Sequence, residues 1–190
     1  MSFRQQFIDL RPAGGFDLIM ADPPWSYEMR SEKGYEKSPQ AQYQTMDAVT
    51  IKALPVEVLA APNCLLWLWG VGPMMPLALE VCAAWGFEFK TLGWWVKQTK
   101  SGKQTFGTGY ILRGAGEPFL IGTRGAPKTT KGTRNTIMGL IREHSRKPDE
   151  AYAKAEQLMP EARRLDLFSR QARPGWTAWG DEAGKFGALA

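Results

Sequence analysis

Cysteine and histidine are nearly missing from this 190-residue chain: Cys64 and Cys82 are the two cysteines, His144 the one histidine. Two thiols inside apolar runs, without a Cys-x-x-Cys spacing, supply no disulfide framework and no redox pair. One histidine is too few ligands for a zinc centre, so no metal site is expected. No run of about 18 apolar residues occurs, which excludes a membrane-spanning helix. The first residues, Met1 to Gln6, lack the apolar centre of a secretory signal, and with reduced thiols this predicts a cytoplasmic protein. Repeats and low-complexity tracts are also missing.

What is present reads as one α/β domain over residues 1–190, with 44% hydrophobic and 23% charged residues. Short apolar runs predict buried strands at Phe16–Ala21, Leu65–Trp69, Phe87–Lys97, Glu117–Gly122, Thr136–Ile141, Arg164–Phe168 and Trp176–Gly180. Ile8-Asp9-Leu10 reads as a further short strand. Asp47 is placed to cap a helix through Leu54, and Pro73 opens one that stops before Gly86. Pro148 opens an amphipathic helix whose first turn carries Asp149 and Glu150, with Ala151, Tyr152, Ala155, Leu158 and Met159 as its stripe. Strands alternating with helices predict a doubly wound, mostly parallel sheet with helices on both faces. Segments 26–44, 98–109 and 123–134 are polar or glycine-containing and read as mobile loops.

The net charge of +5 is uneven. Lys97 to Lys147 holds eleven Lys and Arg against two acids, Glu117 and Glu143, a surplus of +9 that leaves −4 for the remainder. A basic block in an otherwise acidic domain points to a polyanionic partner. Lys100, Lys103, Arg124, Lys128 and Lys131 are its candidate contacts.

Asp22-Pro23-Pro24-Trp25 stands where the first strong strand runs out. Two prolines cannot continue a sheet ladder, so the chain leaves the sheet stiffly at Asp22. Ligands of open α/β sheets bind beyond the carboxyl ends of strands. A carboxylate and proline carbonyls there can accept the hydrogens of an amine, while the flat ring bearing that amine stacks on Trp25. Methyl transfer to an aromatic amine needs this arrangement.

These four residues, together with Tyr43-Gln44-Thr45-Met46, Trp95-Val96-Lys97, Ser145-Arg146-Lys147-Pro148-Asp149-Glu150 and Leu165-Asp166-Leu167-Phe168, resemble the adenine-N6 methyltransferases related to the eukaryotic mRNA methyltransferase, the MT-A70 family. The resemblance runs from about Phe16 to Glu182. It implies a Rossmann-like fold dependent on S-adenosyl-L-methionine, with the catalytic motif ahead of the cofactor strand, a permuted order. By the same resemblance Asp22, Pro23 and Pro24 hold the adenine amine, Trp25 and Tyr43 line the acceptor pocket, and Trp95 and Lys97 stand at its edge. Lys147 pairs with the cofactor's carboxylate, beside a helix N-terminus that also favours an anion. Asp22, Asp166, Phe168, Arg170, Asp181 and Glu182 complete the implied cofactor set. The turn Phe168-Ser169-Arg170 has no glycine, unlike dinucleotide-binding loops.

The expected reaction is direct methyl transfer to an unpaired or flipped adenine, in DNA first and in RNA as the alternative. A catalytically silent nucleic-acid-binding subunit is the competing class, and the intact Asp22 motif with Lys147 favours the enzyme. A homodimer or a partner subunit, and no membrane, complete the expectation.

Overall fold

A computed structural model of the chain describes residues 1–26, 45–107, 109, 111–142 and 146–185. Tyr43 and most of the 26–44 loop lie outside them. The described elements are α1 (Phe3–Leu10), β1 (Phe16–Ala21), α2 (Ala48–Ala53), β2 (Ala60–Trp69), α3 (Met75–Ala84), β3 (Glu88–Gln98), β4 (Gly116–Arg124), β5 (Thr136–Leu140), α4 (Asp149–Leu158), β6 (Arg164–Leu167) and β7 (Trp176–Trp179).

The strands form a seven-stranded sheet in the order β5-β3-β4-β2-β1-β6-β7. β1 runs parallel to β2 and β6, β6 to β7, and β3 to β5, whereas β4 is antiparallel to both β2 and β3. Every strand except β4 therefore points the same way, and the mostly parallel expectation holds.

The alternation of β1 explains why both faces are covered. Ile19 and Ala21 join Phe7, Ile51, Val81 and Cys82 on the face packed by α1, α2 and α3. Leu18 and Met20 join Trp67, Trp69, Ala151, Tyr152 and Ala155 on the face packed by α4. Each fully buried Leu, Ile or Phe contributes about 1.5–3 kcal/mol. Cys64 and Cys82 are buried free thiols, pushed up to about 12 and about 11 by burial, so neither is a nucleophile at neutral pH.

The chain start corrects one expectation. Ile8-Asp9-Leu10 is the last turn of α1 and not a strand. Ser2 caps the helix by accepting from the Gln5 N–H at 3.3 Å, and Gln5 donates to Asp9 at 2.8 Å. Phe7 then anchors it, fully buried. Elsewhere caps follow the sequence: the Asp47 carboxylate accepts from the Thr50 N–H at 2.7 Å.

Candidate active site

The C-terminal ends of β1 and β6 meet at one edge, where the Asp22 N–H donates to the Leu167 carbonyl at 3.3 Å. Beyond it Pro23 and Pro24 give no N–H, and among the described residues their carbonyls are each used once. Pro23 accepts from the Trp25 N–H at 2.8 Å and Pro24 from the Met46 N–H at 2.9 Å. Each keeps a second lone pair for a ligand donor. A parallel bridge between Trp25 and Met46 fixes the exit of the motif.

Trp25 does not offer its ring face at this edge, which corrects the stacking expectation. Its side chain is 3% exposed and packs in the core, and its indole N–H donates to the Trp69 carbonyl at 3.1 Å. Trp95 is likewise a core residue, donating to the Gly139 carbonyl at 3.1 Å. Its neighbour Trp94, on the other face of β3, is 44% exposed.

Four charges line up at the same edge. Lys147 Nζ lies 2.7 Å from Asp22 Oδ2 and 3.2 Å from Glu117 Oε2, and Lys97 Nζ lies 2.5 Å from Glu117 Oε1. Lys147 also stands over the Trp69 ring at 5.4 Å. Glu117 arrives here because β4 is reversed: the start of that strand, and not its end, reaches the edge. Burial alone would raise its pKa, but Lys147 and Lys97 outweigh burial and hold the carboxyl down at about 2. For Asp22 desolvation prevails over the attraction of Lys147 and Arg170, Glu117 adds repulsion, and its pKa is raised.

Beside Asp22, a cleft is walled by Arg146, Lys147, Phe168 and Arg170, with Asp166 and Tyr152 deeper. Asp166 is 4% exposed; the Tyr152 hydroxyl donates to it at 3.1 Å and the Ser169 hydroxyl lies 2.8 Å away. Burial drives its pKa up to about 7 against both contacts. Ser169 Oγ is also 2.9 Å from the Gln171 carbonyl, and a hydroxyl has one hydrogen. A protonated Asp166 satisfies both: it donates to Ser169, which donates onward. Tyr152 is pinned by the Arg173 guanidinium, 3.7 Å above its ring.

Phe168 has φ +66°, the left-handed region that favours glycine. It forms the turn over which β7 closes, and the Ser169 N–H donates to the Trp179 carbonyl at 2.9 Å. Arg170 pairs with Glu182 at 2.7 Å, and Arg146 donates to Gln171 at 2.6 Å. With these contacts made, the cleft keeps about 20 Å³ of free space, enough for a water but not for a nucleotide-sized ligand.

The structure thus gathers Asp22, Lys97, Lys147, Asp166, Phe168, Arg170 and Glu182 at one edge, while Asp181 is exposed beside them. Lys100 and Lys103 also belong to it, on a tight turn closed by the Thr99 N–H to the Lys103 carbonyl at 2.8 Å. Arg124, Lys128 and Lys131 do not. In the β2–β4 register Trp69 opposes Phe119 and Cys64 opposes Arg124, so the 123–134 segment leaves the sheet at the far end. Arg124 turns inward and donates to the Glu57 carbonyl at 2.8 Å. These three residues therefore lie at the opposite end of the sheet from Asp22.

Sequence reasoning did not assign Glu117, Arg146, Ser169, Gln171 or Arg173 to the site, and it counted Tyr152 as plain core. Glu117 had a usable signal, as one of only two acids in the basic block. Tyr152 had one too: its hydroxyl, on a buried stripe, needs a partner.

A family model described as MT-A70 matches residues 16–182. The chain is 34% identical over 186 residues to the Arabidopsis thaliana protein named N(6)-adenosine-methyltransferase MT-A70-like, covering 95% of this chain and 25% of that one. It is 31% identical to the human N(6)-adenine-specific methyltransferase METTL4, with 90% and 38% covered. The human N(6)-adenosine-methyltransferase catalytic subunit METTL3 is also 31% identical, with 93% and 30% covered. The chain therefore spans well under half the length of these relatives.

Proposed function

The chain belongs to the MT-A70 family, and on that premise we propose that it moves a methyl group from S-adenosyl-L-methionine to the exocyclic amine of adenine in nucleic acid, with DNA as the first acceptor to test. The observation that carries the proposal is the Asp22 carboxylate at the strand end, held at 2.7 Å by Lys147 and followed by two proline carbonyls with a spare lone pair. RNA is the second reading, favoured by the relatives named adenosine methyltransferases.

The residues present fit the cofactor's chemistry. Arg146, Lys147 and Arg170 on the cleft wall suit a carboxylate, and Asp166 at its floor suits a hydroxyl group. S-adenosyl-L-methionine supplies, when bound, a methyl group activated by a sulfonium centre. The chain's own part is positioning and electrostatics. Adenine's amine is a poor nucleophile, because its lone pair is delocalised into the ring. Asp22 Oδ1 and the Pro23 or Pro24 carbonyl each accept one N–H, which draws the nitrogen out of conjugation. As that nitrogen gains its new bond, the surplus proton passes to the Asp22 carboxylate, whose raised pKa suits it to take it. Lys147 keeps Asp22 oriented, and Glu117 with Lys97 fixes Lys147 in turn.

The test is labelled-methyl transfer to single- and double-stranded DNA and RNA, with nucleoside analysis of the product. Wild-type protein should form N6-methyladenine, and Asp22→Asn should lose all but a few per cent of turnover while still binding cofactor. Full turnover in the variant would remove Asp22 from the chemistry. A wild-type chain that binds nucleic acid and cofactor yet transfers nothing would make it the silent subunit.

A further inference from the structure

At the end of the sheet remote from Asp22, a groove of about 450 Å³ lies under the 125–135 segment. That volume is in the range of small-molecule sites, roughly 300–1,000 Å³. We propose that this groove binds a small molecule made of a flat apolar body and one anionic group.

The groove is a built arch. Gly125, at φ +62°, starts it where any side chain would collide with the Pro62 carbonyl. The Ala126 N–H then donates to Asn63 Oδ1 at 2.9 Å. At mid-span Thr130 is tied to the C-terminal turn of α4, through its N–H to the Leu158 carbonyl at 2.9 Å and its hydroxyl to the Gln157 carbonyl at 2.7 Å. Asn135 closes the far foot, donating to the Leu92 carbonyl at 3.2 Å. The segment expected to be a mobile loop is therefore fastened at three points, and the space beneath it is kept open.

The lining states the ligand's chemistry. The floor is apolar, with Leu65 and Ile121 beside Trp67 and Phe119, whose rings stack at 4.2 Å between centroids and 20° between planes. Arg134 and Lys90 stand on the lining and no carboxylate does. Lys90 is already paired with Glu88 at 2.5 Å, which leaves Arg134 as the cation available to an incoming anion. An apolar floor beside the Arg134 guanidinium, with no carboxylate among the lining residues, describes a carboxylate, sulfonate or phosphate monoester on a planar skeleton.

The test uses the full chain and two fluorescent probes of nearly the same shape. These are 8-anilinonaphthalene-1-sulfonate and its uncharged analogue N-phenyl-1-naphthylamine. The sulfonate should bind one saturable site, at least tenfold more tightly than the neutral amine. Arg134→Gln should weaken the sulfonate at least fivefold and leave the amine unchanged. Ala126→Trp, which fills the groove from an exposed position, should abolish both. Circular dichroism checks that the variants fold, and the exposed Arg134 keeps the test decisive if Ala126→Trp does not. Equal affinity for the two probes, or wild-type sulfonate binding by Arg134→Gln, would overturn the proposal. So would displacement of the sulfonate by a short oligonucleotide, which would give the groove to a nucleic-acid strand.

Discussion

Replacing Glu117 by glutamine removes one charge from the row Lys97–Glu117–Lys147–Asp22 and changes almost no volume. The glutamine still offers an oxygen to one lysine, so the effect is electrostatic. In the folded protein the Glu117 carboxyl is held at about 2, against an ordinary value of 4.5. That difference corresponds to about 3 kcal/mol of folding stability. The group's pKa is depressed on folding, so this stability is fully present above about pH 4.5 and is lost as the pH falls toward 2. The side chain is 26% exposed, and solvent reduces the expected destabilisation at neutral pH to about 2–3 kcal/mol. Urea unfolding of wild type and Glu117→Gln from pH 7 to pH 2.5 measures it. The two curves should stand apart at pH 7 and draw together in acid. Equal stability at pH 7 would show that the two lysines do not need this carboxylate. A gap unchanged at pH 2.5 would trace the effect to packing.

Asp166→Asn should behave in the opposite sense. Folding raises this carboxyl to about 7, so wild type loses stability as the pH climbs from about 4 to 7. The neutral amide should be the more stable form at pH 8, by up to about 4 kcal/mol, and a less stable variant there would contradict a protonated Asp166. Neutralising Lys100 and Lys103 should lower the slope of log affinity against log salt for a single-stranded oligonucleotide, by about one unit for each phosphate they neutralise. The same change at Lys128 and Lys131 should leave that slope alone, and the reverse ranking would place the acceptor at the other end of the sheet. Gly93→Ala drives a Cβ into the Phe119 ring and to 2.7 Å from the Asn135 carbonyl. Overpacking of this kind costs about 1–3 kcal/mol, readable as a lowered Tm.

The strands were legible because each is a short apolar run, and α4 because its acids and stripe are placed as a helix requires. Asp22 was legible because two prolines end β1 immediately beyond it. Strand direction was not. An apolar run buries the same residues whichever way it points, so nothing in Gly116–Arg124 announces that β4 is reversed. That one unknown misplaced Arg124, Lys128 and Lys131 and concealed Glu117. Trp25 and Trp95 were misjudged because an indole serves a core and a stacking surface equally well; the neighbours that bury them are far away in sequence. Phe168 shows a third limit. The absence of glycine from its turn was visible, but the positive φ that β7 imposes there was not.

The reversal of β4 also makes a cassette of the segment between Gln98 and Gly116. It departs from the Asp22 edge and returns to the same edge. Its two stems are paired as neighbouring strands and clasped by the Lys97–Glu117 ion pair. The register of the stems is held by packing lower in the sheet, through contacts such as that of Gly93 with Phe119. Length and composition between the stems can therefore change without moving Asp22, Lys147 or Glu117. On the proposed acceptor role of Lys100 and Lys103, a transplant of residues 99–115 from a relative is expected to move acceptor preference as a unit while leaving the Asp22 row in place.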